Sequence, residues 1–170
     1  MSVEENKAAS RRLLEECFNR GDMTVADELV APVAVDHDPA LPERLRSVRG
    51  PQLMKDTVAV YRTAFPDLVL TVEDQIAEGD QVVTRWRCEG THRGELEGLA
   101  PTNIRATVTG ITIDRLEDGK VAETWTHWDN LGLARQLGAA PPEGSMGERI
   151  GLTMQHLMAR RMRSKHPVAV

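Results

Sequence analysis

The chain has 170 residues, 41% hydrophobic and 28% charged, with a formal charge of -5. That length suits one domain with one core, and the negative balance excludes broad phosphate-backbone binding, which needs clustered Lys and Arg. Cys17 and Cys88 are too few and too far apart for a disulfide framework or a cysteine-rich zinc site, and fit a reducing compartment. With no apolar leader and no run of about 18 apolar residues, the expectation is a cytoplasmic protein with neither a nucleic-acid nor a membrane partner.

Ser2 and Glu5 have capping-box spacing, and Ala8, Leu13, Leu14, Cys17 and Phe18 form a helical stripe up to Gly21. Asp22 can cap a shorter helix over 23–30, closed by Pro32. A loop carrying His37, Asp38, Pro39 and Pro42 is expected next. After Gly50-Pro51, apolar residues recur at helical spacing until Pro66. The period then changes. Runs rich in Val, Ile and Thr over 68–76, 81–90, 105–116 and 121–129 predict antiparallel strands, with Gly79-Asp80 and Asp118-Gly119 at turns. Helices followed by strands predict an α+β fold.

In the last run Glu123, Trp125, His127 and Asp129 alternate with Ala122, Thr124, Thr126 and Trp128, so each set points to one face of the sheet. Neither set resembles a greasy core, and the strand reads as the border of a polar-lined cavity or of an interface. Residues 130–137 look helical, with Asp129 suited to cap them. Residues 1–138 form the expected domain, and 139–170 a linker and helical extension. In that extension Met154, Leu157, Met158 and Met162 make an apolar stripe, and Arg160, Arg161, Arg163 and Lys165 crowd the end. The cations suit a solvated helix end; a lid or dimer arm is the alternative.

Four motifs carry a family resemblance: Ala64-Phe65-Pro66-Asp67-Leu68, Glu89-Gly90-Thr91-His92-Arg93-Gly94, Gly98-Leu99-Ala100-Pro101-Thr102, and Asp118-Gly119-Lys120 followed by Glu123, Trp125 and Asp129. In order and content they resemble the SnoaL-like polyketide cyclases, or ester cyclases, of the NTF2-like superfamily, which includes ketosteroid isomerases and limonene epoxide hydrolases. The resemblance implies a cone of N-terminal helices packed on a curved antiparallel sheet, its open end holding a small apolar molecule. It also implies a homodimer joined through the sheets.

The same resemblance makes Asp38, before Pro39, the leading acid–base candidate, because the isomerases carry their base in that loop. The plainer reading is an Asp that starts a turn. His37 alternates with Asp38, so in extended chain only one of the two faces the cavity. His92 lies in a Gly-Thr-His-x-Gly motif like that of the cyclases and can move protons near neutral pH; a loop histidine bonded to backbone is the alternative. Asp129 is either a third acid–base group or a helix cap. The cyclases' histidine and catalytic aspartate fall on Thr112 and Thr126 here. That alignment puts Thr112, Asp114, Thr124, Thr126 and Trp128 on the cavity side and Glu123, Trp125 and His127 outside, unless a β-bulge turns His127 or Asp129 inward.

Trp86 and Trp128 are expected to give flat apolar contact, and Cys88, mid-strand, reads as a small buried hydrophobe. His37, His92 and His127 lack metal-ligand spacing, and there is no glycine-rich phosphate loop, so neither metal nor nucleotide cofactor is implied. The resulting expectation is a cofactor-independent cyclase that acts on a polyketide-like, polycyclic apolar molecule through an enolate. The alternatives are a hydroxylase or epoxide hydrolase of the same fold, and a module that binds or dimerises without catalysis.

Overall fold

The computed structural model describes residues 2–165, with side chains described up to residue 159. Helix α1 (Val3–Glu15) starts with the expected capping box: the Ser2 hydroxyl accepts from the Glu5 N–H, and Glu5 reaches back to the Ser2 N–H. It runs into one π-helical turn (Glu16–Arg20), and Gly21 at φ 70° ends it in the left-handed region that favours glycine. Helix α2 (Thr24–Leu29) follows, with the Asp22 carboxylate accepting from the Thr24 N–H.

Strand β1 (Val30–Asp36) differs from the sequence reading, which ended a helix at Pro32 and continued as loop. The strand pairs parallel with β5 (Lys120–Trp128) at the sheet's edge, with a register shift between Val30 and Val35. An edge is where proline, which cannot donate to a ladder, is tolerated in a sheet.

Helix α3 (Gly50–Ala64) ends before Pro66, as its spacing predicts. Strands β2 (Val69–Glu78), β3 (Gln81–Thr91), β4 (Arg105–Glu117) and β5 form an antiparallel meander, and the sheet order is β1-β5-β4-β3-β2. The fold is therefore α+β, a curved five-stranded sheet wrapped on helices, with the parallel β1 added to the expected antiparallel strands. Helix α1 packs on β2 and β3, and α3 on β1. One apolar cluster joins α1, α2 and the strand ends around Leu13, Val25, Val82 and Val121; a second joins Phe65, Leu70, Trp86, Leu133 and Leu137. The cavity lies between them.

Helix α4 (Asn130–Gln136) closes the second cluster through Leu133, and α5 (Met146–Lys165) follows the 139–145 linker. An Arg135–Glu148 ion pair of 2.5 Å ties α5 to α4. Met154, Leu157 and Met158 are exposed along α5. The side chains of Met162, Arg160, Arg161, Arg163 and Lys165, and all of His166, lie outside the described residues. Among the described residues no helix is long and apolar enough to cross a membrane.

Two of the family motifs are mated parts of one joint. In the loop after β3, the Thr91 N–H and hydroxyl both donate to Asp67, at 2.7 Å each. The Arg93 and Gly94 N–H groups donate to the Ala64 carbonyl. A Cβ on Gly94 would stand 2.1 Å from the Thr63 carbonyl oxygen, so only glycine lets the loop lie on the end of α3. The motifs at 64–68 and 89–94 thus close the sheet against α3.

Candidate active site

The inner face of the sheet, α1, α3 and β1 enclose a cavity of about 140 Å³ with a mostly apolar wall. Phe18, Leu53, Phe65, Leu70, Trp86 and Trp128 supply much of its surface. Its polar groups are few and lie largely on the sheet, which suits a small apolar ligand held by a few placed contacts.

The alternation in β5 divides its side chains between the two faces of the sheet. Thr112, Asp114, Thr124, Thr126 and Trp128 line the cavity, and His127 is exposed on the other face. The β4–β5 register shift falls between Arg115 and Leu116 and leaves His127 and Asp129 outside. Glu123 pairs with Arg115 on the outer face, and Trp125 is half-buried there under His37, their rings stacked 4.9 Å apart. His37 therefore does not line the cavity: its Nε2 meets Glu123 at 3.1 Å. Extended backbone alternates its side chains, so Asp38 takes the inner side.

Asp38 lines the cavity and accepts from the Ala40 N–H at 2.7 Å and from Trp128 Nε1 at 3.3 Å. The first bond is the turn that Pro39 suggested, so the turn and the cavity position coexist. Burial raises the Asp38 carboxyl above its ordinary range, opposed by those two donors.

Two more carboxylates share this wall. Asp36 on β1 and Asp114 on β4 are both register partners of Thr124 on β5, which places Asp36, Thr124 and Asp114 in one row across three strands. Asp114, 2% exposed, accepts from Thr124 at 2.7 Å and closely from Ser10. Its carboxyl is raised by burial, with those two hydroxyls opposing. Asp36 is pushed up to about 6, first by burial, with the Asp38 N–H opposing and the charges of Asp38 and Asp114 adding to the rise. Sequence reasoning missed Asp36 because it missed β1. Once β1 is a strand, the period of two that separates it from Asp38 puts both on one face.

Burial also raises the phenol of Tyr61, which packs edge-on to Trp128, and pushes the Cys88 thiol up to about 12. Cys88 lines the wall as an inert thiol. Thr112 and Thr126 occupy the floor, with Trp86 Nε1 donating to Thr112.

His92 and Asp129 lie elsewhere. His92 is fully buried behind the loop joint, tilted against Phe65, with Nδ1 3.3 Å from the Thr102 hydroxyl. It is not among the cavity-lining residues. Asp129 is exposed and accepts from the Gly132 N–H at 2.7 Å, capping α4. Asp129→Ala is expected to cost about 1 kcal/mol of stability, the usual worth of a cap, and to leave ligand binding in the cavity unchanged. Denaturant unfolding and a binding isotherm check both.

The model of a family described as SnoaL-like polyketide cyclase matches residues 8–137. Aklanonic acid methyl ester cyclase AcmA of Streptomyces galilaeus is 32% identical over 142 residues, covering 83% of this chain and 96% of AcmA. Among solved structures, TsrD of Streptomyces laurentii superposes with TM-score 0.72 at 29% identity, covering 82% of this chain and 98% of TsrD. AclR of Streptomyces galilaeus, described as a candidate hydroxylase, superposes with TM-score 0.71 at 26% identity, covering 99% of this chain and 100% of AclR. Motifs, fold and relatives agree: this chain belongs to the SnoaL-like polyketide cyclase family.

Proposed function

We propose that the protein is a cyclase that closes a ring in a polyketide-like apolar molecule by enolate chemistry, with Asp38 as general base. The observation that carries this reading is the Asp38 carboxylate, its basicity raised by burial, in a largely apolar cavity whose other polar lining includes hydroxyls and the carboxylates of Asp36 and Asp114. Asp38 takes the proton between the two carbonyls of a β-keto ester. The enolate carbon attacks a third carbonyl, farther along the same molecule, forming the C–C bond while that carbonyl's π electrons move to its oxygen. The oxygen then takes a proton, and Asp38 gives its own up. The sequence is redox-neutral and asks for no electron carrier. The family and its aklanonic acid methyl ester cyclase relatives support a polyketide-like substrate and, with it, a role in secondary metabolism.

A hydroxylase is the second reading, favoured by two observations. AclR covers 99% of this chain, C-terminal extension included, and the family resemblance implies that Thr112 and Thr126 stand where the cyclases carry their acid–base pair. The two separate on dioxygen. Incubating the protein with an aryl-bearing β-keto ester that also carries a ketone within ring-closing reach, in an anaerobic chamber, should still give a cyclised product of unchanged mass or one lighter by water. Product that appears only with dioxygen, and gains an oxygen atom, favours the hydroxylase.

The outer sheet face fits a second copy of the chain. Ile111, 45% exposed, lies in register with the exposed His127, beside the half-covered Trp125. Apolar patches on a sheet commonly mark contacts with partners. A dimer is expected in sedimentation at micromolar concentration, with Ile111→Glu shifting it to monomer; a wild-type monomer at that concentration contradicts it.

A further inference from the structure

The threonines on the cavity floor are not equivalent, because their hydrogen-bond partners fix which of them has a proton to offer. Trp86 Nε1 is a donor only, and it meets the Thr112 hydroxyl oxygen at 2.9 Å. Thr112 is therefore an acceptor toward Trp86. It is also 3% exposed, so its own proton needs a protein acceptor. Its one other side-chain partner among the described residues is the Thr126 hydroxyl at 3.2 Å. In the arrangement that satisfies Thr112 wholly within the protein, Trp86 donates to Thr112 and Thr112 donates to Thr126. Thr126 lines the cavity and is less deeply buried than Thr112, so its own proton faces the ligand space.

Thr124 is the contrast. It sits on the same strand and the same face, but its hydroxyl donates to Asp114 at 2.7 Å and so offers a ligand no proton. Asp36 and Asp38 present acceptors. On the sheet floor a ligand oxygen seeking a donor finds Thr126, while the Thr57 and Tyr61 hydroxyls line the helix side of the cavity.

From this accounting we propose that the Thr126 hydroxyl receives a carbonyl oxygen of the bound molecule, and that Trp86 and Thr112 are positioning residues which hold it in that role. This deepens the cyclase reading and rests on it, since a carbonyl held there is the electrophile whose developing negative oxygen a preorganised donor stabilises. Successive donors polarise one another, so the last in the series is a better donor than an isolated hydroxyl.

The test compares acetylnaphthalene with ethylnaphthalene, two probes of like shape of which only the first has a carbonyl, by equilibrium dialysis. Thr126→Val should weaken the ketone about tenfold, the worth of one hydrogen bond near 1.4 kcal/mol, and move the hydrocarbon less than about twofold on the same scale. Thr126→Ser should restore the ketone's advantage, and Thr112→Val should reduce it. The carbonyl stretch of the bound ketone in the wild-type protein supplies a readout that needs no variant: it should lie below its value in a hydrocarbon solvent. An unshifted stretch, or equal losses for both probes in Thr126→Val, overturns the proposal. Neither result depends on turnover, so this assignment and the cyclase reading fail separately.

Discussion

Asp38→Asn is expected to lower turnover of a cyclising substrate by roughly two to four orders of magnitude, the usual worth of a positioned general base. The substitution keeps the side chain's shape and an oxygen for the Ala40 N–H, gives up the 3.3 Å contact from Trp128 Nε1 to the other carboxylate oxygen, and removes the proton acceptor. Affinity should therefore change little. Steady-state rates with a binding isotherm on the same preparation separate the two effects. If Asp38→Asn turns over near the wild-type rate while Asp36→Asn is inactive, the base is on β1 and Asp38 only shapes the turn.

The second large effect is on stability. The Asp36 carboxyl is raised from 3.8 to about 6 on folding, so between those values the folded chain holds a proton that the unfolded chain has released. Stability from this group is complete below the unfolded value and is lost as pH rises through about 6. Above that range an ionised Asp36 costs about 2–3 kcal/mol, shared with the charges of Asp38 and Asp114 that face it. Asp36→Asn removes this cost and keeps an acceptor for the Asp38 N–H, 2.9 Å away. The variant should be more stable than wild type by on the order of 2 kcal/mol near pH 8, and nearly equal to it near pH 4. Denaturant midpoints at both pH values check this. An Asn variant less stable than wild type near pH 8 would show that the carboxylate is better compensated than its burial suggests.

Much of this was legible in the sequence, and the failures have physical causes. Four antiparallel strands and α1 and α3 follow from periodicity, capping residues and turn pairs, all local signals. Strand β1 does not, because its partner β5 lies some ninety residues away in the chain and Pro32 imitates a helix stop. Losing β1 also hid Asp36.

The His92 motif was legible as a family mark but not as a part. Its glycines carried the meaning: Gly94 lies on the Thr63 carbonyl and Gly90 against Phe65, close approaches that lock the loop and bury the histidine behind it. Asp114 had a quieter signal. Asn6 and Ser10 lie buried on α1 beside Ala9, Leu13 and Leu14, and polar residues on the core side of a helix imply buried polar groups opposite. Ser10 meets both Asp114 and Thr84 there.

The proposed step, removal of a proton next to a carbonyl by Asp38, is measured by hydrogen exchange without the natural substrate. An aryl-bearing β-keto ester in heavy water is followed by proton NMR with wild-type protein and with Asp38→Asn, both shown to bind it. Exchange at the acidic carbon is expected well above the buffer rate with wild type, and at the buffer rate with Asp38→Asn. Exchange at the buffer rate with saturated wild-type protein, or equal acceleration by both proteins, contradicts it.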